Sequence, residues 1–358
     1  MKRFIAIVIV FTFLCIEASA QSGWFSQNQM SQGNSLYSLH NANNSTGWAV
    51  GDYGVILKTT NSGTTLLGQS SGTSNSLRSV HFADSSRGWV VGESGTILKT
   101  TNSGTNWFSQ TSGTANWLWS VHFADNSSGW AVGENGTILK TVNGGTNWLS
   151  QTSGTTNWLG DVHFADNSIG WAVGLAGTVL NTTNGGTDWT LQHGTIRLLS
   201  SVYFINNSTG WAVGEAGTVL RTTNSGSSWT LQISITGNFL ESVQFTDSNT
   251  GWAVGNAGTI IKTTSSGTNW TQQTSGTNRD LYTVHFIDNN TGWAVGDYGV
   301  ILNTTNGGTN WLSQTSGTTN WLASVHFADN SIGWAVGREG TILKTTNGGT
   351  NWLSQTSG

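Results

Sequence analysis

Glu241 and Asp280 are acidic where most copies of the surrounding phrase carry something else. Two carboxylates about 5 to 9.5 Å apart are what glycoside hydrolysis needs, one to protonate the leaving oxygen and one to act as nucleophile or base. Histidine recurs at His40, His81, His122, His163, His285 and His326, with Tyr203 and Gln244 in the same place in two further copies. A ring of imidazoles suggests a metal, but side chains related by repetition do not converge within ~2.1 Å of one ion. A structural imidazole bonded to a neighbouring unit is therefore expected, and no metal. Segments such as DNSSG, Asp125 to Gly129, carry the small polar residues of a calcium loop. They lack the distal bidentate glutamate and run straight into a strand, so an Asx turn is the expected reading. No catalytic residue and no cofactor is assigned from these groups.

The elements that position these side chains are repeated. The Gly-Trp pair begins at Gly47, Gly88, Gly129, Gly170, Gly210, Gly251, Gly292 and Gly333, a period of 41 residues broken once by a 40. A period of this length marks a repeat architecture rather than a chain of separate domains. In the third copy, LWSVHFA (118 to 124), Trp130 to Gly133, Thr137 to Thr141 and Trp148 to Gln151 read as four short strands. DNSSG, Glu134-Asn135 and VNGGTN turn the chain between them. Four antiparallel strands in one period make a propeller blade. The fold expected is all-β: a single β-propeller of four-stranded antiparallel blades over residues 36 to 358, with eight blades favoured over seven. Leu36, Leu77, Leu118, Leu159, Leu199, Leu240, Leu281 and Leu322 share one repeat position and the Gly-Trp tryptophans another, and both belong to the core. With no proline in the chain, the turns fall to glycine and asparagine.

Lys2 and Arg3 precede an apolar run from Phe4 to Ile16, and Ala18-Ser19-Ala20 supplies small residues for cleavage. Residues 1 to 20 read as a bacterial Sec-type signal peptide, the run being shorter than the ~20 residues that span a bilayer. Phe13 and Leu14 are too bulky before Cys15 for a lipidation site. The mature chain is expected to be secreted, periplasmic or at the cell surface. It would contain no cysteine, so packing alone must hold it together. Removing Lys2, Arg3 and Glu17 leaves 11 basic and 16 acidic residues, a formal net charge of −5. That balance argues against nucleic acid or an anionic membrane as partner. Residues 21 to 35 read as a linker in which Trp24-Phe25-Ser26-Gln27 resembles a spare fourth strand. The chain stops within a repeated phrase, NWLSQTSG, which leaves open a continuation past Gly358.

The phrase GWAVGENGTILKTVNGGTNW (129 to 148) and its copies resemble the photosystem II assembly factor family of Ycf48-like propellers, and more distantly the Asp-box or BNR repeat proteins that include sialidases. The resemblance covers residues 36 to 358 and implies a propeller; it does not imply photosynthesis. Where an Asp-box has aspartate, this chain has Asn61, Asn102, Asn143, Asn184, Asn224, Asn306 and Asn347, with Ser265 in the remaining copy. A sialidase-like site would also need an arginine triad. Arg78, Arg87, Arg197, Arg221, Arg279 and Arg338 fall at differing repeat positions, and no insertion builds a pocket.

Differences between copies concentrate on one rim, formed by the blade-to-blade connections and the hairpins between second and third strands. Trp117, Trp158 and Trp321 stand at blade entrances. Tyr37, Arg78, Trp119, Glu241 and Tyr282 lie one position further in, and Tyr53 and Tyr298 sit at hairpin tips. Aromatics give rigid contact area and carboxylates accept hydrogen bonds, so these ten residues are the candidate ligand-binding set. The expected function is an exported, non-enzymatic, monomeric module that binds glycan or protein through this rim. An Asp-box glycoside hydrolase and a structural spacer in a larger surface protein are the alternatives. Expressed with its leader in a secreting bacterial host, the protein is expected to begin at Gln21, which intact-mass spectrometry of the exported fraction checks; retention of residues 1 to 20 would refute the leader.

Overall fold

The computed structural model describes residues 34–43, 45–61, 65–193, 195–232 and 235–355. The expected leader over 1 to 20 and the spare strand at Trp24 to Gln27 lie outside the described residues.

Each repeat folds into one four-stranded antiparallel sheet whose strands follow sequence order. The third repeat has strands Leu118–Phe123, Gly129–Gly133, Ile138–Thr141 and Leu149–Gln151. The first strands of successive sheets lie side by side, and Leu322–Phe327 of the eighth packs against Leu36–Asn41 of the first. The result is a closed ring of eight blades with the first strands innermost. Every blade takes all four strands from one continuous stretch, so the ring closes by side-chain packing rather than by strand exchange. The second strands are buried along their whole length, which is why the GWAVG phrase shows no polar alternation.

Each joint between blades is made by residues of the repeated phrase. The Gly-Trp indole of one blade stacks on the phenylalanine that ends the next blade's first strand. Seven such pairs, from Trp48–Phe82 to Trp293–Phe327, have ring centroids 3.3–3.6 Å apart and planes within 13°. The same indoles donate Nε1–H to a backbone carbonyl in that next blade's TTNGG turn at 3.0–3.3 Å, as Trp89 does to Gly144. The fourth-strand tryptophan closes the joint edge-on, Trp107 meeting Phe82 at 5.9 Å and 89°. Two glycines make room: a Cβ at Gly88 would lie 2.4 Å from the Phe82 ring, and one at Gly145, where φ is +87°, would lie 2.8 Å from Trp89 Nε1. The Asp-box-like turn is thus the socket for the previous blade's indole.

The same ends of the first strands carry the Asx turns, where Gly144 N–H also donates to the Ser127 carbonyl at 2.8 Å. Asp125 Oδ1 accepts the N–H groups of Ser127 and Ser128 at 2.6 and 2.7 Å, and Oδ2 accepts the amide of Asn167 in the next blade at 2.6 Å. The hairpins between second and third strands depart from the glycine-and-asparagine expectation. Each is a single 3₁₀ turn such as Glu134–Gly136. The left-handed residue before its glycine is Tyr53, Ser94, Asn135, Ala176, Ala216, Ala257, Tyr298 or Glu339, with φ of 52–55°. A Cβ in the left-handed region costs roughly 1–2 kcal/mol. The steric demand falls instead on the following glycine, where a Cβ at Gly95 would lie 2.0 Å from the Thr114 carbonyl.

The seam between blades eight and one differs from the other joints. Asn41 stands where phenylalanine would stack and Leu66 where the edge tryptophan would. The Asn41 amide Nδ2 donates to His326 Nδ1 at 2.9 Å across the seam. A cavity of ≈ 20 Å³ remains, lined in part by Leu39, Asn41, Leu66, Trp334 and Ile342, about the room one water requires. Restoring the repeat with Asn41→Phe and Leu66→Trp together is expected to stabilise the ring by about 1–2 kcal/mol. Calorimetry would show this as a higher Tm, and a fall in Tm would mean the seam is already packed to its limit.

Candidate functional site

The variable residues reach the channel mouth because the first strands are bulged. In every blade the register slips by one residue just after the buried leucine, as between Leu77 and Ser79. The extra residue has no partner on the second strand, and a bulge re-aims its side chain. Around the ring these residues are Tyr37, Arg78, Trp119, Gly160, Ser200, Glu241, Tyr282 and Ala323. The residue before each leucine is pinned to its own hairpin tip, for example by Glu134 N–H donating to the Trp117 carbonyl at 3.0 Å. Some tip carboxylates turn inward: Glu93 and Glu134 accept the N–H of Ser76 and Trp117 at 3.1 and 3.3 Å. That part of the acidic rim is spent on structure.

The mouth has two groups. In blades one to four, the Arg78 guanidinium carbon lies 4.0 Å from the Tyr37 ring centroid, 5.0 Å from Trp117 and 5.2 Å from Trp119. Trp119 is 5.2 Å from Trp117 and 5.3 Å from Trp158, all of them half-buried. Tyr37 Oη donates to the Asp52 carboxylate at 2.9 Å, and burial followed by this bond raises the phenol pKa. Arg78 makes no ion pair among the described residues, and its Nε is buried without an acceptor. A cation held over three rings is stabilised by their quadrupoles while its charge stays uncompensated.

In blades six to eight the charge is opposite. Burial, and then the charge of Asp280, push Glu241 up to about 7. Tyr282 is pushed up to about 12 by burial and by Asp297, Asp280 and Glu241, and its ring lies 5.4 Å from Trp321. Asp280 Oδ1 accepts the Ala257 N–H at 2.8 Å. Tyr53 and Tyr298 do not join either group. Both are exposed at left-handed hairpin tips, Tyr298 with Arg279 stacked 3.8 Å over its ring. Arg78 and Arg279 share the rim but not a site.

Below the mouth the histidines form an inner belt. Consecutive rings sit 4.6–5.3 Å apart at His40–His81, His81–His122, His122–His163 and His285–His326. Each faces the next blade, His285 Nε2 lying 3.2 Å from the Phe327 carbonyl, which is the neighbour-bonded imidazole anticipated above. Burial lowers His40 and His285 to about 3 and His81, His163 and His326 to about 4, with like-charge repulsion between neighbours adding to it at His40 and His285. No group of three metal-holding side chains occurs among the described residues.

One acid escaped the sequence reading. Asp161 occupies a ring position that is Ser38, Ser79, Ser120, Ser201, Ser242, Thr283 or Ser324 elsewhere. Comparing that column across the repeats would have found it. It accepts Ser120 Oγ at 3.1 Å and the Val162 and Val202 N–H groups at 2.9 and 3.3 Å. Burial raises it to about 6. Grooves on the outer rim are lined by residues such as Ser112, Thr114 and Gln110 and hold no carboxylate, imidazole or amine.

This ring of Trp-rich four-stranded blades is an eight-bladed β-propeller whose variable side chains gather at one mouth. The family model "Photosynthesis system II assembly factor YCF48" matches residues 16–113, 150–239 and 230–317, and the chain belongs to that family. Among solved structures, "YCF48 bound to D1 peptide" matches with 21% identity and a TM-score of 0.61 over 76% of this chain and 92% of that one. YCF48 from Cyanidioschyzon merolae gives 21% and 0.61 over 77% and 97%. The computationally designed Ika8 protein gives 16% and 0.75 over 88% and 96%. At these identities the likeness shows the fold. No curated protein matches.

The buried imidazoles set a pH dependence. Their folded pKa values lie below the ordinary 6.5, so the stability they contribute is full above pH 6.5 and is lost as pH falls through about 4. Asp161 acts in the opposite sense, its contribution being present below pH 3.8 and lost as pH rises through about 6. Glu241, raised by burial, acts in the same sense as Asp161. Six lowered imidazoles outweigh these two carboxyls, so the urea midpoint followed by tryptophan fluorescence is expected to fall from pH 6.5 to 4. Asp161→Ser is expected to raise stability at pH 7 by up to about 3 kcal/mol; an acid-insensitive midpoint would contradict the neutral belt.

Proposed function

We propose that this protein is an exported docking module that holds a segment of another protein at the channel mouth. The observation that carries the reading is Arg78, a cation wedged among Tyr37, Trp117 and Trp119 with no ion-pair partner among the described residues. Such a group is pre-ordered at no further entropic cost and seeks an acceptor from outside. Half-buried aromatics around an arginine are also the composition of interface hot spots. A relative in the same family is described as bound to a D1 peptide, which favours protein over glycan as the class of partner. The tilted and mutually stacked tryptophans leave little free ring face for a sugar. Short hairpins and the bulged mouth give a binding surface without the deep pocket that chemistry on a small substrate uses. Glycoside hydrolysis is the second reading, favoured by Glu241, whose carboxyl stays partly protonated near neutrality beside Asp280, as a proton donor's must.

The test uses residues 21 to 358 against a displayed peptide library, with a glycan array and chromogenic glycosides alongside. Selected peptides are expected to lose about 30-fold or more in affinity to Arg78→Ala or to Trp119→Ala/Trp158→Ala, and to keep it in Tyr53→Ala. Peptide binding indifferent to the mouth variants would overturn the reading, and turnover lost in Glu241→Gln would replace it with the hydrolase.

A further inference from the structure

The mouth is not merely variable; it is polar across its diameter. In a closed ring of eight blades, blade n faces blade n + 4. Arg78 in the second blade and Glu241 in the sixth hold the same bulge position, so they face each other across the channel. The aromatic pairs are placed the same way. Trp119–Trp158 spans blades three and four, and Tyr282–Trp321 spans blades seven and eight. Of the remaining bulge positions, Gly160, Ser200 and Ala323 are small, and Tyr37 in the first blade lies beneath the Arg78 guanidinium, opposite Ser200. Two aromatic pairs therefore mark one diameter, and a diameter steeply inclined to it carries a cation at one end and a carboxyl at the other.

An occupant must match both ends. A wholly acidic segment gains at Arg78 and is repelled by Glu241, Asp280 and Asp297; a wholly basic one meets the reverse. The carboxyl cluster is already costly to ionise in isolation, as the raised Glu241 and Tyr282 show, so an arriving cation relieves it. An extended polypeptide can satisfy both sides at once, because successive side chains point in opposite directions. Laid along the aromatic diameter, it presents alternate side chains to the two charged banks, with apolar residues on either side meeting Trp119–Trp158 and Tyr282–Trp321.

Resting on the docking reading above, we infer that the mouth recognises an extended peptide segment carrying an acidic and a basic side chain at odd spacing, the acid set against Arg78 and the base against Glu241. Odd spacing, such as i, i+1 or i, i+3, is what places the two charges on opposite banks; even spacing puts both on one.

The test is an unbiased displayed dodecapeptide library selected on residues 21 to 358, and in parallel on Arg78→Gln and Glu241→Gln, each checked for folding by circular dichroism. Peptides enriched on the unmodified protein are expected to carry an acid and a base at odd spacing. Re-spacing the pair to i, i+2 in a synthetic copy is expected to cost at least tenfold by fluorescence anisotropy. Arg78→Gln is expected to lose the demand for the acid alone, and Glu241→Gln the demand for the base alone. Enriched peptides of one charge sign, or affinity indifferent to spacing, would overturn the inference while leaving docking at the mouth intact, provided Trp119→Ala/Trp158→Ala still abolishes binding. Failure to enrich any mouth-dependent peptide would overturn both.

Discussion

The structure depends on one joint, repeated round the ring: an indole of one blade laid flat on a phenylalanine of the next while its N–H is tied to that blade's turn. The stack supplies apolar burial, and the hydrogen bond fixes where along the edge the burial occurs. Stacking alone would let blades slide past one another, since aromatic faces tolerate offset. The indole bond to a backbone carbonyl removes that freedom, and because the carbonyl sits in a rigid turn, it sets the blade-to-blade rotation. A similar turn at each joint lets the ring close through side-chain contacts without strand exchange.

The joint also explains which residues were left free to vary. It uses the lower end of the first strand, the second strand and the third-to-fourth-strand turn. The upper end of the first strand takes no part, and the bulge after each buried leucine removes one residue from the ladder. Side chains there lie outside the indole–phenylalanine joint, and their contacts differ from blade to blade: Ser200 bonds the Val213 and Leu240 carbonyls, Tyr37 bonds Asp52, and Trp119 meets Trp158 of the next blade. The charged and aromatic differences between copies accumulate at that place, on a scaffold that otherwise repeats from blade to blade. Where the joint itself is altered, at Asn41 and Leu66, the change falls on the seam, and a hydrogen bond from Asn41 to His326 takes over part of the lost stacking.

The buried imidazoles and Asp161 add a polar lining inside this apolar frame. Their backbone partners are carbonyls and N–H groups of the adjacent blade, so they extend the same inter-blade logic toward the axis. A neutral imidazole costs less to bury than an ion and bonds a carbonyl as well. The belt is therefore compatible with a tightly packed channel.

Fold and repeat number were legible in the sequence because they follow from periodicity. A 41-residue phrase with apolar residues in register specifies one blade, and eight copies specify a ring. The ten rim residues were likewise visible as departures from that phrase. What the sequence could not show was which of them meet. The bulge that turns Tyr37, Arg78 and Trp119 to the mouth is a backbone register shift with no residue signature, whereas Tyr53 and Tyr298, equally conspicuous as letters, stand apart on left-handed tips. The opposition of Arg78 and Glu241 arises only when the ring closes. Local pattern determines the blade; closure, a property of all eight joints acting together, decides which residues face one another.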